Sequence, residues 1–166
     1  DITEILKQLH SKNLKLKKLF IGAFRIIINE KVKKDALYNL KVLSLDAKHL
    51  ELDFLKDIIK HAKVSLTDIS IDNLIITSIP ELDKLFDIMS LIHSRVDTNF
   101  ELICDYLDEG KVLNSLVKYL SIAEPSNKHC LRIASSESWS NIEEFKNALK
   151  AQPKLNVSIY SRHHRV

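Results

Sequence analysis

The chain has 166 residues, of which 45% are hydrophobic and 28% charged, and its formal net charge is +3. This composition is typical of one folded domain and excludes a disordered chain. The longest apolar runs, such as Ile26-Ile27-Ile28, are far shorter than the ~18 residues of a membrane span.

The first residue and the cysteines bear on two questions: whether the chain is part of a longer protein, and where in the cell it is located. We expect residues 1–166 to form a single repeat-type domain, and because residue 1 is Asp instead of Met, we expect it to be a segment of a longer protein. The two cysteines, Cys104 and Cys130, form no CxxC pair. This favours free thiols and an intracellular, cytoplasmic or nuclear location.

The first elements are a helix and a strand. Apolar residues recur at helical spacing over residues 2–11, which predicts an amphipathic helix. The phrase Leu16-x-x-Leu19-x-Ile21 then predicts a strand over residues 16–21.

A basic segment covers residues 12–34, where Glu30 is the only acid. Such clustering is typical of a polyanion-binding edge or, more often, of a solvated face. Its cations are Lys12, Lys15, Lys17, Lys18, Arg25, Lys31, Lys33 and Lys34.

The aliphatic phrase of the first strand is repeated twice, over residues 40–45 and 66–71. Its central residues are Leu19, Leu43 and Ile69, so the spacings are 24 and 26 residues. Repeats of roughly 20–29 residues that supply one strand and one returning helix are typical of leucine-rich repeats.

Helices are predicted between and after these strands. Leu52, Leu55, Ile59 and Ala62 form one apolar stripe. The next helix begins at Ser78-Ile79-Pro80-Glu81, whose Ser and Glu match a capping box.

The second half of the chain is less regular. Thr98-x-x-Glu101 predicts another helix, which contains Cys104 and ends at Gly110. Val117-x-x-Leu120-x-Ile122 predicts a fourth strand, with a degraded repeat at Leu91-x-x-Ser94-x-Val96 in between.

The chain ends with two more predicted strands around a helix. Residues 130–133 and the alternation around Val157 and Ile159 predict the strands, and a capping pattern at Ser140-x-x-Glu143 predicts the helix. Because a strand that returns through a helix re-enters in the same direction, we expect an α/β fold: a leucine-rich-repeat-like array of parallel strands backed by helices.

The chain resembles an irregular leucine-rich repeat protein of the helical, ribonuclease-inhibitor-like kind. The phrases at 16–21, 40–45, 66–71 and 117–122 carry the resemblance, and Asn73 is a counterpart of the Asn that follows the strand in that family. A more distant likeness is to the C-terminal regions of F-box substrate receptors. The resemblance implies a scaffold that binds a protein partner on its concave sheet surface, as an adaptor or substrate-recognition module.

The residues indicate no enzyme chemistry. The seven histidines form no HExxH or similar ligand spacing, no GxSxG turn is present, and two glycines cannot build a phosphate loop. We therefore expect no catalysis, no metal and no cofactor.

The surface that we predict to bind a protein partner is the row of strand side chains that alternate with the buried ones. Phe20 and Tyr119 are its predicted aromatic anchors. Nucleic-acid binding through the basic segment 12–34 is the less favoured alternative. The predicted partner-binding residues are Lys18, Phe20, Val42, Ser44, Asp68, Ser70, Asp72, Tyr119 and Ser121.

Overall fold

The computed structural model describes residues 8, 16–26, 37, 39–122, 128–135, 147 and 156–161. Within these ranges the chain forms six strands and three helices, which alternate from the second strand to the fifth. In chain order they are β1 Lys18–Ile26, β2 Val42–Leu50, α1 Leu52–His61, β3 Asp68–Ile75, α2 Ile79–Met89, β4 Asp97–Ile103, α3 Glu109–Ile122, β5 His129–Ser135 and β6 Asn156–Ser161.

The six strands form one parallel sheet in the order β1-β2-β3-β4-β5-β6, so neighbours in sequence are neighbours in space. This confirms the predicted α/β array of parallel strands backed by helices. Crossovers between adjacent parallel strands share one hand, so successive helices are brought to the same side of the sheet.

The hydrophobic core lies between the sheet and these helices. One row of inward side chains runs across all six strands, each aligned with the next: Ile21, Leu45, Ile71, Phe100, Leu131 and Val157. The inner four are completely buried in the core cluster. α1 contributes the predicted stripe, with Leu52, Leu55 and Ile59 buried.

The predicted capping box at the start of α2 is confirmed at its first position. Ser78 is the N-cap, and its Oγ accepts a hydrogen bond from the Glu81 backbone N–H at 3.3 Å. The Glu81 carboxylate accepts from the backbone N–H of Thr77 at 2.8 Å, one residue before the cap. Two backbone donors near the start of the helix are thus satisfied.

The predicted helix from Thr98 to Gly110 is wrong, because residues 97–103 form strand β4. Thr98, Phe100 and Leu102 alternate with more exposed residues and enter the core, and this period of two belongs to a strand. Gly110 is the second residue of α3 and ends no helix.

The predicted strand at Val117-x-x-Leu120-x-Ile122 is also wrong, because residues 109–122 form α3. The residues that enter the core are Val112, Leu116, Tyr119 and Leu120, at helical spacing. Val117 and Ile122, two of the three residues of the phrase, are exposed.

The degraded repeat predicted at Leu91–Val96 is not a strand either, since this segment is a turn that leads into β4. Cys130–Ile133 lies within β5, and Val157 and Ile159 lie within β6, as predicted. The helices predicted over 2–11 and 140–149 fall outside the described residues except for Gln8 and Asn147, which are both helical.

Candidate interaction surface

One face of the sheet carries no packed helix in the described parts of the chain. We call it the open face and define it by the strand side chains that alternate with the buried rows. Its members are Lys18, Phe20 and Phe24 on β1; Val42, Ser44, Asp46 and Lys48 on β2; Asp68, Ser70 and Asp72 on β3; Asp97, Asn99 and Glu101 on β4; Cys130 and Arg132 on β5; and Asn156, Ser158 and Tyr160 on β6.

Seven of the nine predicted partner-binding residues lie together on this face. They form two rows across β1, β2 and β3: Lys18, Val42 and Asp68 align in one, and Phe20, Ser44 and Ser70 in the other, with Asp72 one step further along β3. This placement follows from the aliphatic triplets, since fixing the inward residues of a strand fixes the outward ones.

Tyr119 and Ser121 do not belong to this face. Both lie on α3, on the opposite side of the sheet. Tyr119 is only 2% exposed and its ring stacks on Phe86, with centroids 5.0 Å apart. Ser121 lies at the exposed surface of α3, where its hydroxyl donates to the Lys118 carbonyl at 2.7 Å.

Carboxylates stand directly opposite one another on neighbouring strands of the open face. Asp46 of β2 aligns with Asp72 of β3, and Asp68 of β3 aligns with Asp97 of β4. Glu101, also on β4, is the fifth acid of the open face. Like charges directly opposite in a sheet are destabilising, by roughly 0.2–1 kcal/mol per pair. The arrangement therefore costs the fold some stability.

The Asp46–Asp72 pair is held in place by side-chain hydrogen bonds. The Asn73 amide donates to Asp46 at 2.9 Å, Ser70 Oγ donates to Asp72 at 2.9 Å, and the Asn99 amide donates to Asp72 at 3.2 Å. Asn73 has a positive φ of 63° at a bulge in β3, a conformation that Asn tolerates better than most residues. The backbone irregularity thus aims its amide at the neighbouring strand.

Two further acids of the face are also fixed by neighbours. Asp97 lies 3.7 Å from the Lys128 ammonium, and the Tyr160 hydroxyl reaches across β5 to donate to Glu101. In the centre of the face, Asn99 Oδ1 is buried and accepts no hydrogen bond from the described residues. The face therefore offers acceptors, most of them charged, in fixed positions.

An aromatic edge lies beside the acids. Phe20 and Phe24 are 66% and 67% exposed on β1. The Lys48 ammonium stands 5.4 Å from the Phe24 ring centroid, and the His49 ring contacts Phe24 edge-on with centroids 5.3 Å apart. Exposed aromatic rings beside polar side chains are typical of a protein-binding surface.

Asp46, Asp97, Asn99 and Glu101 are not among the predicted partner-binding residues. Asp46 comes directly after the second aliphatic phrase and shares the outward side of β2 with Ser44. Extending the predicted strand by one residue therefore includes it. Asp97, Asn99 and Glu101 lie on β4, where the capping pattern at Thr98-x-x-Glu101 predicts a helix instead of a strand.

The basic segment is described only in part. Lys17 and Lys18 lie at the start of β1 and Arg25 near its end, so about seven strand residues, roughly 23 Å at 3.3 Å per residue, separate Lys18 from Arg25. Lys12, Lys15, Lys31, Lys33 and Lys34 lie outside the described residues. The cations that are described do not form one patch.

The two thiols differ in environment. Cys104 is buried, and this burial raises the pKa of its thiol to about 12, so that it carries no thiolate at neutral pH. Cys130 is half-buried on the open face, aligned with Asn99 and Asn156. Among the described residues no three His, Cys, Asp or Glu side chains are grouped so as to hold a metal ion.

None of the helices in the described part of the chain has both the length and the apolar character needed to cross a membrane. No known protein family, curated protein or solved structure matches this chain.

Proposed function

We propose that the protein is an interaction scaffold, an adaptor or substrate-recognition module, whose open face binds a protein partner through a Lys/Arg-rich segment. The observation that carries the proposal is the pair of directly opposed carboxylates, Asp46 with Asp72 and Asp68 with Asp97, on a face that no described helix covers.

The charge of the face supports a cationic partner. Each opposed pair lowers the stability of the free protein, and a bound ammonium or guanidinium group would remove that repulsion. Because hydrogen bonds from Asn73, Ser70 and Asn99 already orient Asp46 and Asp72, little side-chain entropy remains to be lost on binding. Charge-assisted hydrogen bonds are stronger than neutral ones.

The aromatic edge supplies the apolar part of the surface. Phe20 and Phe24 are large and exposed, and burial of such rings contributes much of the free energy in protein interfaces. A partner segment that places an apolar side chain over β1 and cations over β2, β3 and β4 would use both features.

The open face is unsuited to nucleic acid, because its five carboxylates on β2, β3 and β4 repel phosphates. Nucleic-acid binding through the basic segment remains the alternative prediction. Its binding would weaken steeply with salt, since each phosphate contact releases counterions.

Affinity capture with the full chain as bait tests the proposal. The open-face variant is the double substitution Asp46→Asn with Asp68→Asn, because an amide oxygen can still accept the bonds from Asn73 and Thr67. The matched control is Asp53→Asn with Asp87→Asn, which removes the same charge from exposed positions on α1 and α2.

We expect proteins that bind the wild type and the control but are lost from the open-face variant and from Phe20→Ala. Identical protein capture by the open-face variant and the control would refute the proposal. Capture of RNA or DNA that is lost on charge reversal of Lys17 and Lys18 would favour the alternative instead.

A further inference from the structure

A cavity of about 340 Å³ lies at the end of the sheet where the strands begin (their N-terminal ends), on the helix-covered side. Its wall is formed by the end of α2 and the turn after it, by the last turn of α3 and by the first residue of β5. Apolar contacts come from Met89, Ile92 and Ile122. This volume falls in the range of small-molecule sites, about 300–1,000 Å³.

His129 is the unusual residue of this wall. It occupies an inward position of β5 aligned with Thr98, in the row that continues from Leu43 and Ile69. Only 4% of its surface is exposed, and its Nε2 is buried and makes no hydrogen bond with any residue that the structure describes. A buried polar atom without a partner is destabilising, so a regular repeat would place an aliphatic residue here.

The protonation of His129 defines what it offers to a ligand. Burial lowers the pKa of its imidazole, against the opposing effects of a hydrogen bond with the His93 backbone and of the Asp97 charge. The ring is therefore neutral at physiological pH. A neutral imidazole has one N–H and one lone pair, and with the backbone bond made by the other nitrogen, Nε2 is an acceptor.

Other polar groups of the cavity complement this acceptor. The wall includes Tyr119, whose hydroxyl has its pKa raised to about 12 by burial and so stays protonated. At the rim lie Lys63 and His93, both exposed. The wall of the cavity is thus more polar than apolar, with a neutral acceptor and a protonated hydroxyl in it and a cation at its mouth.

We propose that this cavity is a binding site for a small aromatic acid that carries a hydroxyl group, with its ring against Met89 and Ile92, its hydroxyl donating to His129 Nε2 and its carboxylate near Lys63. The site is separate from the open face, because the sheet itself lies between them. It does not depend on the proposed protein partner.

The probe for this site is 4-hydroxybenzoate, added to the full chain while the histidine ring signals are followed by NMR. We expect saturable shifts of the His129 and His93 signals at millimolar probe. Phenol, which lacks the carboxylate, is expected to bind several-fold more weakly. No saturable shift of these signals would overturn the proposal, and tighter binding of phenol would overturn the role of Lys63.

His129→Leu is the variant that separates the acceptor from the fold. Leucine or isoleucine already occupies the aligned positions on β2 and β3, so we expect the variant to fold and its thermal unfolding to remain cooperative. Loss of one hydrogen bond should weaken probe binding about three- to ten-fold, read from the backbone amides around residue 92. The matched control, His49→Leu, lies at the opposite end of β2 and should bind the probe as the wild type does. Unchanged binding by His129→Leu would contradict the assignment.

Discussion

Tyr119 and Phe20 provide a direct test of which side of the sheet each aromatic ring occupies. Both were predicted to be exposed anchors for a partner. In the structure Tyr119 is 2% exposed inside the helix layer and Phe20 is 66% exposed on the open face. Truncation to alanine should therefore have opposite consequences for stability and for binding.

The expected cost of Tyr119→Ala follows from its burial. Removal of a large buried aromatic side chain costs about 3–5 kcal/mol in free energy of unfolding, and the lost stacking with Phe86 is part of that cost. Domains of this size have a total stability of about 5–15 kcal/mol. Phe20→Ala removes an exposed ring and should change stability by no more than about 0.5 kcal/mol.

Urea unfolding of the two variants and the wild type, followed by circular dichroism, measures both values. Tyr119→Phe is the matched control for the ring, since it keeps the stacking and loses only the hydroxyl; it should stay within about 1 kcal/mol of the wild type. The assignment of Tyr119 to the core would be refuted by a loss below about 1 kcal/mol for Tyr119→Ala. A comparable loss for Phe20→Ala would refute the open face.

Two further predictions concern charge. Because the folded pKa of His129 is lowered from 6.5, the unfolded chain binds more protons below that pH; the stability contribution is complete above about pH 6.5 and falls by at most about 1.4 kcal/mol per pH unit below it. Urea unfolding between pH 5 and 8 should show this loss of stability at low pH in the wild type but not in His129→Leu. The other charged groups around the site, Asp97, His93 and Lys63, are the same in both proteins. Parallel pH profiles of the two proteins would contradict the prediction. Asp46→Asn should raise stability at low salt by about 0.5 kcal/mol, because it keeps the bond from Asn73 but removes the charge opposite Asp72, and the gain should shrink in 1 M salt. A gain that salt leaves unchanged would mean that the two carboxylates do not repel each other.

The first half of the fold could be predicted because its repeats are regular. Three aliphatic phrases place Leu19, Leu43 and Ile69 in one aligned row, and apolar stripes at helical spacing follow the second and third. Local pattern and tertiary packing agree in this region, so strands, helices and outward residues all followed from the sequence.

In the second half of the chain, short motifs and the periodicity of whole elements disagree, and the structure follows the periodicity. Thr98-x-x-Glu101 matches a capping box, yet Thr98 and Phe100 continue the inward rows of the sheet. Val117-x-x-Leu120-x-Ile122 matches the strand phrase, yet the longer stripe from Val112 to Leu120 is helical. A pattern of three residues occurs by chance more readily than a period sustained over a whole element.

The acidic pairs of the open face could not be predicted from single strands. Which residues stand opposite one another depends on the register between strands, and a shift of one residue would turn Asp72 into the core. The register follows from the packing of all inward rows together, and the bulge at Asn73 changes it again along β3. This information is tertiary.

The cavity near His129 is a consequence of unequal repeats. The inward row advances by 24 and 26 residues from Ile21 to Ile71, and then by 29 to Phe100 and by 31 to Leu131. Much of the longest repeat is used in α3, which has 14 residues where α1 has 10 and α2 has 11. Three or four extra residues lengthen a helix by about 5 Å, which is one turn, and its last turn, with Tyr119 and Ile122, forms a wall of the cavity.

At the beginning of β5 the inward residue borders this cavity, whereas Leu43 and Ile69 at the aligned positions lie in the hydrophobic core cluster. An aliphatic side chain there would border empty space and lose dispersion contacts on that side. The residue found there instead is His129, whose Nε2 has no partner in the described part of the chain. The irregular repeat length and the inward histidine of this row both fit the ligand site proposed above, whose occupant would donate a hydrogen bond to His129.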